Sequence, residues 1–283
     1  MIDLALYRRF FAEEIAATAG LKTPALIDAL AAVPREHFLR PGPWMVRGEG
    51  DFGAPPRHTP DADPRHTYHN YSMAIDPARQ LFNGAPGLLA MWIDSLGLQP
   101  GHRVLHIGAG LGYYSALIGH VVGAKGTVVA IEVDESLASE ARTNLLSMPW
   151  VDLLHGDGTA ALEGTFNAIL VNAGVTHPQD AWLDALAAGG RLLLPLTVTM
   201  PAMGSLGKGF MALLTKSADG SFSARTLSLV SVYSGVGLRD EALNASLGAA
   251  MMRSPFPTFS RLRRDPHDAG PSCWLHGPAF CFS

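Results

Sequence analysis

Apolar positions recur along this chain at two different periods, and the change between them outlines the architecture. In LALYRRFFAEEIAATAG (4–20), Leu4, Tyr7, Phe11 and Ile15 share one helical face, and Gly20 suits the left-handed end of a helix. TPALIDALAAV (23–33) predicts a second helix, with Thr23 as cap and Pro24 at its first position. Beyond residue 100 the pattern becomes short, nearly continuous apolar runs: RVLHI (103–107), TVVAIEVD (127–134), VDLLHGDG (151–158) and FNAILVNAG (166–174). Runs of this kind read as strands buried on both faces, the mark of a parallel sheet. YYSALIGHVVG (113–123) reads as a helix, and LAAGGRLLLPL (186–196) as a Gly-Gly helix stop followed by a strand. GFMALLTKS (209–217) and FSARTLSLVSVYSG (222–235) flank an Ala-Asp-Gly turn and predict an antiparallel hairpin. ALNASLGAAMM (242–252) predicts one more helix.

The order of these elements predicts an α/β fold: a doubly wound, mostly parallel seven-stranded sheet with helices on both faces, an N-terminal helical cap and a C-terminal extension. The expected division is residues 1–80 for helices and a covering loop, 81–235 for the core, and 236–283 for a C-terminal helix and extension. Residues 41–66 are rich in Pro, Gly and charge and show neither period, which marks a lid or binding loop. At 283 residues, 48% hydrophobic and 16% charged, the chain can bury a substantial core. A formal charge of −4 disfavours nucleic acid as main partner. Neither a signal-type N-terminus nor a run of eighteen apolar residues is present, so the sequence is read as cytoplasmic, without a membrane partner.

The candidate chemistry lies at the end of the first buried run. RVLHIGAGLGYYS takes a strand through Gly108, Gly110 and Gly112 into a helix, an arrangement that lets backbone N–H groups approach a nucleotide-like ligand. A dinucleotide fingerprint would place its third glycine at residue 113, which is Tyr. The G-x-G-x-G spacing instead resembles the first motif of S-adenosylmethionine (SAM)-dependent methyltransferases. Glu132 ends the next strand, 20 residues after Gly112, where an acidic side chain can accept from both ribose hydroxyls. Asp157 and Gly158 follow the third run, where methyltransferases commonly hold the adenine, and Asn172 ends the fourth.

VPREHFLRPG (33–42), with the block from LFNGAPGLLAMW to GGRLLLPLTV, resembles the protein-L-isoaspartate O-methyltransferase family in motif text and order. The likeness covers roughly residues 25–200 and is carried above all by the VPRE segment, which general methyltransferases lack. It implies SAM as cofactor and S-adenosyl-L-homocysteine as product. It also implies carboxyl methylation of isoaspartyl residues in a protein or peptide. Cofactor contacts are expected at His106, Gly108, Gly110, Gly112, Glu132, Asp157, Gly158 and Asn172. The acceptor is expected at Asn83 and Gly84. Two positions depart from the family: Gly84 stands where a Ser-x-Pro motif has its serine, and His106 where Glu or Asp is more usual. Three alternatives stay open: another peptide or a small molecule as acceptor, a non-catalytic SAM-binding module, and a nicotinamide-dependent reductase. A carboxylate acceptor is already ionised at neutral pH, so no general base or triad is required.

Other residues add candidates. Tyr68, Tyr71 and Arg79 precede the Asn-Gly-Ala-Pro segment and are possible cleft residues, Arg79 as a partner for a substrate carboxylate. His58, His66 and His69 with Asp61, Asp63 and Asp76 lack metal-ligand spacing and read as solvated loop. Arg253, Arg261, Arg263 and Arg264 read as a surface extension. Cys273 and Cys281 are spaced to close a small disulfide loop but, as an isolated pair without a secretion signal, read as free thiols, and with His276 they supply three ligands where a structural zinc takes four. No metal site is therefore expected.

Overall fold

A computed structural model describes residues 3–48, 54–160, 162–200, 204–254 and 256–283. The chain forms two compact units: residues 1–102 with 109–155, and residues 103–108 with 156–283.

In the first unit, α1 (Leu4–Ala19) is capped by Asp3, whose side chain accepts from the Ala5 N–H, and ends at left-handed Gly20. It buries Phe11, Ala12 and Ile15, while Tyr7 is 41% exposed and lies beneath the Arg65 guanidinium. The apolar face is thus narrower than the spacing predicts, because a cation covers the Tyr7 ring. α2 (Pro24–Ala32) begins after Thr23, but the Thr23 side chain does not cap it. Asp94, at the far end of another helix, accepts from the Lys22 and Thr23 N–H groups instead.

The segment expected to be irregular contains strands. β1 (Met45–Gly48) and β2 (Arg57–His58) join β3 (Tyr71–Asp76) and β4 (Leu81–Phe82) in a small antiparallel sheet of order β2-β1-β3-β4. β1, β2 and β4, of two to four residues, are too short to show an alternation, and the sheet is held by tertiary packing of Trp44, Val46 and Met73. Residues 49–53 lie outside the described part. The VPRE segment explains itself here. Arg35 is fully buried and donates to the carbonyls of Thr67 (2.8 Å), His69 (3.0 Å) and Tyr71 (2.8 Å), while Glu36 accepts from the Tyr68 hydroxyl and faces Arg8. One guanidinium thus satisfies two carbonyls of the turn that precedes β3 and the carbonyl of its first residue.

After α3 (Pro86–Ser95) the chain passes into the second unit for β5 (Arg103–Ile107). It returns at Ala109 for α4 (Tyr113–Val122), β6 (Thr127–Glu132), α5 (Glu135–Asn144) and β7 (Val151–His155). β6 and β7 are parallel, with Glu132 opposite His155. In the second unit, β8 (Phe166–Val171) is parallel to β5, and α6 (Asp180–Ala185) leads into β9 (Leu186–Val198), parallel to β8. β10 (Leu206–Lys216) and β11 (Phe222–Tyr233) form the expected hairpin, and α7 (Glu241–Arg253) the expected helix.

The seven anticipated strands are β5 to β11. The C-terminal extension adds β12 (Arg261–Arg263), β13 (Leu275–His276) and β14 (Cys281–Phe282), so the second unit's sheet runs β13-β14-β12-β11-β10-β9-β8-β5. Gly189 and Gly190 do not stop a helix. They lie within β9, where its register against β8 shifts. Gly189 adopts φ +77°, and a strand irregularity tolerates it more readily than a regular ladder would.

Candidate active site

The loop glycines, Glu132 and Asn172 lie at strand ends or at the start of a helix. β5 runs into Gly108, at φ +79°, where an added Cβ would stand 3.0 Å from the Asn172 carbonyl oxygen. The Asn172 N–H donates to the Ile107 carbonyl at 2.8 Å. The ends of β5 and β8 therefore approach at backbone distance, a contact only glycine permits. Gly112, at φ +94°, forms the N-cap of α4, and an added Cβ would stand 3.0 Å from Leu145. Between these glycines Ala109 and Leu111 are buried, and α4 begins at the end of the loop, where N–H groups without helical partners gather.

Glu132 ends β6 and is 7% exposed. Its Oε2 accepts from the Gly110 N–H at 2.7 Å and its Oε1 from the Asp134 N–H at 3.0 Å. Burial pushes its pKa up, and those N–H donations oppose the shift. A carboxylate offers about four lone-pair sites, so acceptor capacity remains for a further donor. The loop and the carboxylate are thus one hydrogen-bonded assembly, although 22 residues separate Gly110 from Glu132.

Asp157 is exposed, and its carboxylate accepts from the Thr159 N–H and hydroxyl, both at 2.8 Å. Gly158 is buried, its carbonyl accepts from the Trp182 indole at 2.7 Å, and a Cβ there would stand 2.5 Å from Ile107. His106 differs from the others: it is fully enclosed in β5, and burial lowers its pKa to about 4, so the imidazole is neutral. A side chain with no exposed surface supports the strand beneath the loop and offers no open face to a ligand.

Near the acceptor positions, Asn83 pairs with Met73 through its N–H (3.0 Å) and its Oδ1 (3.0 Å), and its Nδ2 has no partner among the described residues. Gly84 adopts φ +79°, an added Cβ would come within 2.7 Å of Leu89, and its carbonyl accepts from the Tyr114 hydroxyl at 3.0 Å. The departure from serine is therefore built into the backbone at this turn. Arg79 is not waiting for a substrate, since it pairs with Asp76 and Asp134, each at 2.6 Å. The Tyr68 and Tyr71 hydroxyls are spent on Glu36 and the His66 carbonyl. Tyr114 is a residue the sequence reading missed; an aromatic just past the last glycine was its only signal.

A glycine turn from a parallel strand into a helix N-terminus, with a buried carboxylate ending the next strand, is the arrangement of a Rossmann-like nucleoside-binding protein. The profile of the protein-L-isoaspartate(D-aspartate) O-methyltransferase family matches residues 56–233. A protein-L-isoaspartate O-methyltransferase of Methylorubrum populi is 31% identical over 243 residues, covering 84% of this chain and 99% of that one. Its counterpart from Rhodopseudomonas palustris is 30% identical, covering 69% and 76%. Among solved structures, a protein-L-isoaspartate O-methyltransferase superposes with a TM-score of 0.64 at 22% identity, over 89% of this chain and 71% of that one. A Plasmodium falciparum structure of the same description, in complex with S-adenosyl-L-homocysteine, gives 0.59 at 16% identity, over 80% and 97%. The chain belongs to the protein-L-isoaspartate O-methyltransferase family and has the α/β fold of SAM-dependent methyltransferases, with a mostly parallel central sheet. No helix among the described residues is long and apolar enough to cross a membrane.

Proposed function

We propose that this protein methylates the free carboxylate of isoaspartyl residues in proteins or peptides, using SAM. The observation that carries the reading is the hydrogen bond from the Gly110 N–H to Glu132, which ties the glycine loop to a buried carboxylate. The residues fit the cofactor: glycines let the loop pack closely on Asn172, Ile75 and Leu145 at the start of a helix, and the Glu132 carboxylate at its side can accept from sugar hydroxyls. When bound, SAM supplies an electrophilic methyl group on a sulfonium. Glu132 would accept from the ribose hydroxyls, the main chain at Gly108, Gly110 and Gly112 would border the methionine part and sugar, and Asp157 with Gly158 would border the adenine. Asn172 lies against Gly108, and the buried His106 stiffens the strand that carries it. Asn83 donates its Nδ2 hydrogens to the acceptor carboxylate, and the Gly84 N–H adds a second donor. The protein's task is to orient an anion already able to attack and to exclude water.

The missing serine hydroxyl supports a second reading, a different carboxylate acceptor on the same nucleoside half. Transfer of labelled methyl from SAM to an isoaspartyl peptide, against the matching aspartyl peptide, separates the two. Labelling of the isoaspartyl peptide alone is expected. Binding of SAM without that labelling would favour the second reading, and no SAM binding would remove both.

A further inference from the structure

The C-terminal extension brings together four side chains that the methyl-transfer reading does not use. His267, Cys273, His276 and Cys281 each offer one ligand atom, and these atoms all lie within 4.8 Å of one another. Among the described residues this is the one such group found. We propose that it is a structural zinc site, a Cys2His2 centre that fastens the extension to itself.

The geometry supports this at each ligand. Tetrahedral zinc with thiolate and imidazole donors places neighbouring ligand atoms about 3.3 to 3.8 Å apart. Cys273 Sγ and His267 Nε2 are 3.7 Å apart. The other ring nitrogen of His267, Nδ1, donates to the Asp265 carbonyl at 2.8 Å. That bond fixes the tautomer and turns the Nε2 lone pair toward the cluster, the outer-shell arrangement that metal-bound histidines need. The Gly270 N–H donates to Cys273 Sγ at 3.4 Å, a contact that favours the thiolate. His276 Nδ1 is buried and has no hydrogen-bond partner among the described residues, a cost that a coordinating cation would remove. The backbone holds the set in place: His276 and Cys281 face each other across the β13–β14 hairpin, and Cys281 also pairs with Arg263 of β12. The two imidazole rings stand 4.8 Å apart and nearly perpendicular, so neither blocks the other.

Mixed thiolate and imidazole donors select zinc over calcium or magnesium, and four protein ligands leave no open position for catalysis. Binding displaces a proton from each thiol, so two thiolates balance the dication. Both cysteines are free thiols in the structure, as expected; the proposal adds to them a fourth ligand, His267, which the sequence reading did not count. The spacing H-x5-C-x2-H-x4-C (267–281) was its signal.

The test is metal content and thiol reactivity of the full chain produced with zinc in the medium. About one zinc per chain is expected for the wild type, falling below about 0.1 in C273S and C281S. Because such variants could fail to fold, the wild type is also measured directly. Cobalt exchanged for zinc should give the visible bands of tetrahedral thiolate coordination, and both thiols should alkylate only after chelation. A metal-free wild type, zinc retained by the cysteine variants, thiols equally reactive with and without chelator, or a Cys273–Cys281 disulfide would each overturn the proposal.

Discussion

Glu132 joins the two demands of the nucleoside site, since one carboxylate holds its own loop and is proposed to hold the sugar. Replacing it with alanine should weaken SAM binding by about 100-fold, the loss expected when charge-assisted hydrogen bonds worth roughly 2–3 kcal/mol disappear. Calorimetry on E132A measures this directly. Burial raises the folded pKa of Glu132, and sugar hydroxyls donate best to the ionised form. SAM affinity should therefore fall as pH drops through a midpoint above the ordinary carboxylate value, and E132Q should flatten that limb. Gly84 gives a prediction of opposite sign to intuition. G84S restores the family's serine but must place a side chain at φ +79° and 2.7 Å from Leu89. It should lower thermal stability by an amount equivalent to about 1–2 kcal/mol without raising isoaspartyl turnover. A more active and equally stable G84S would refute this account of the turn. N83D keeps the oxygen that accepts from Met73 and removes the amide donor. KM for the isoaspartyl peptide should rise about tenfold or more with SAM affinity unchanged.

Among the elements, the loop from residue 64 to 71 depends on Arg35 more than on any ladder. R35A leaves three carbonyls without their buried donor and should cost about 3 kcal/mol or more. Protease cleavage within 64–71 should rise before global unfolding, and R35K, lacking the planar fork, should rescue little. The elements also show where local patterns suffice. β5, β6 and β8 were legible because nearly continuous apolar runs of five or six residues bounded by turns have few other solutions, whereas β7, expected to be buried on both faces, buries only Val151 and Leu153 and exposes Asp152 and Leu154. β1, β2, β13 and β14 were not, since strands so short carry almost no periodicity and exist because partners pair with them. The glycines of β9 misled for a related reason: a Gly-Gly pair ends a helix or accommodates a strand irregularity equally well, and only the neighbouring strand decides.

For the whole molecule, His106 couples folding to acidity. Its folded pKa of about 4 lies below the ordinary 6.5, so the unfolded chain binds more protons between these values and stability rises with pH across that window. The stability is complete above about pH 6.5 and is lost as pH falls toward 4, a difference of about 3 kcal/mol. Urea unfolding at a series of pH values should show this limb in the wild type and a flatter one in H106L. The tail arginines act within the fold too: Arg264 pairs with Asp180 and Asp184, and the Arg253 guanidinium donates to the Trp274 carbonyl. Substituting them should change stability and leave recognition of acidic peptides unaltered.

The sequence by itself determined the α/β order, the glycine loop, the glutamate 20 residues after it and the family, because these rest on local periodicity and fixed spacing. Tertiary structure decided which candidates were already committed to neighbours. It gave Arg79 two aspartates, enclosed His106, placed Gly84 where a serine would be strained, and brought His267 to Cys273, His276 and Cys281. Hydrogen-bond satisfaction and burial depend on groups distant in the chain, so no window of sequence contains them.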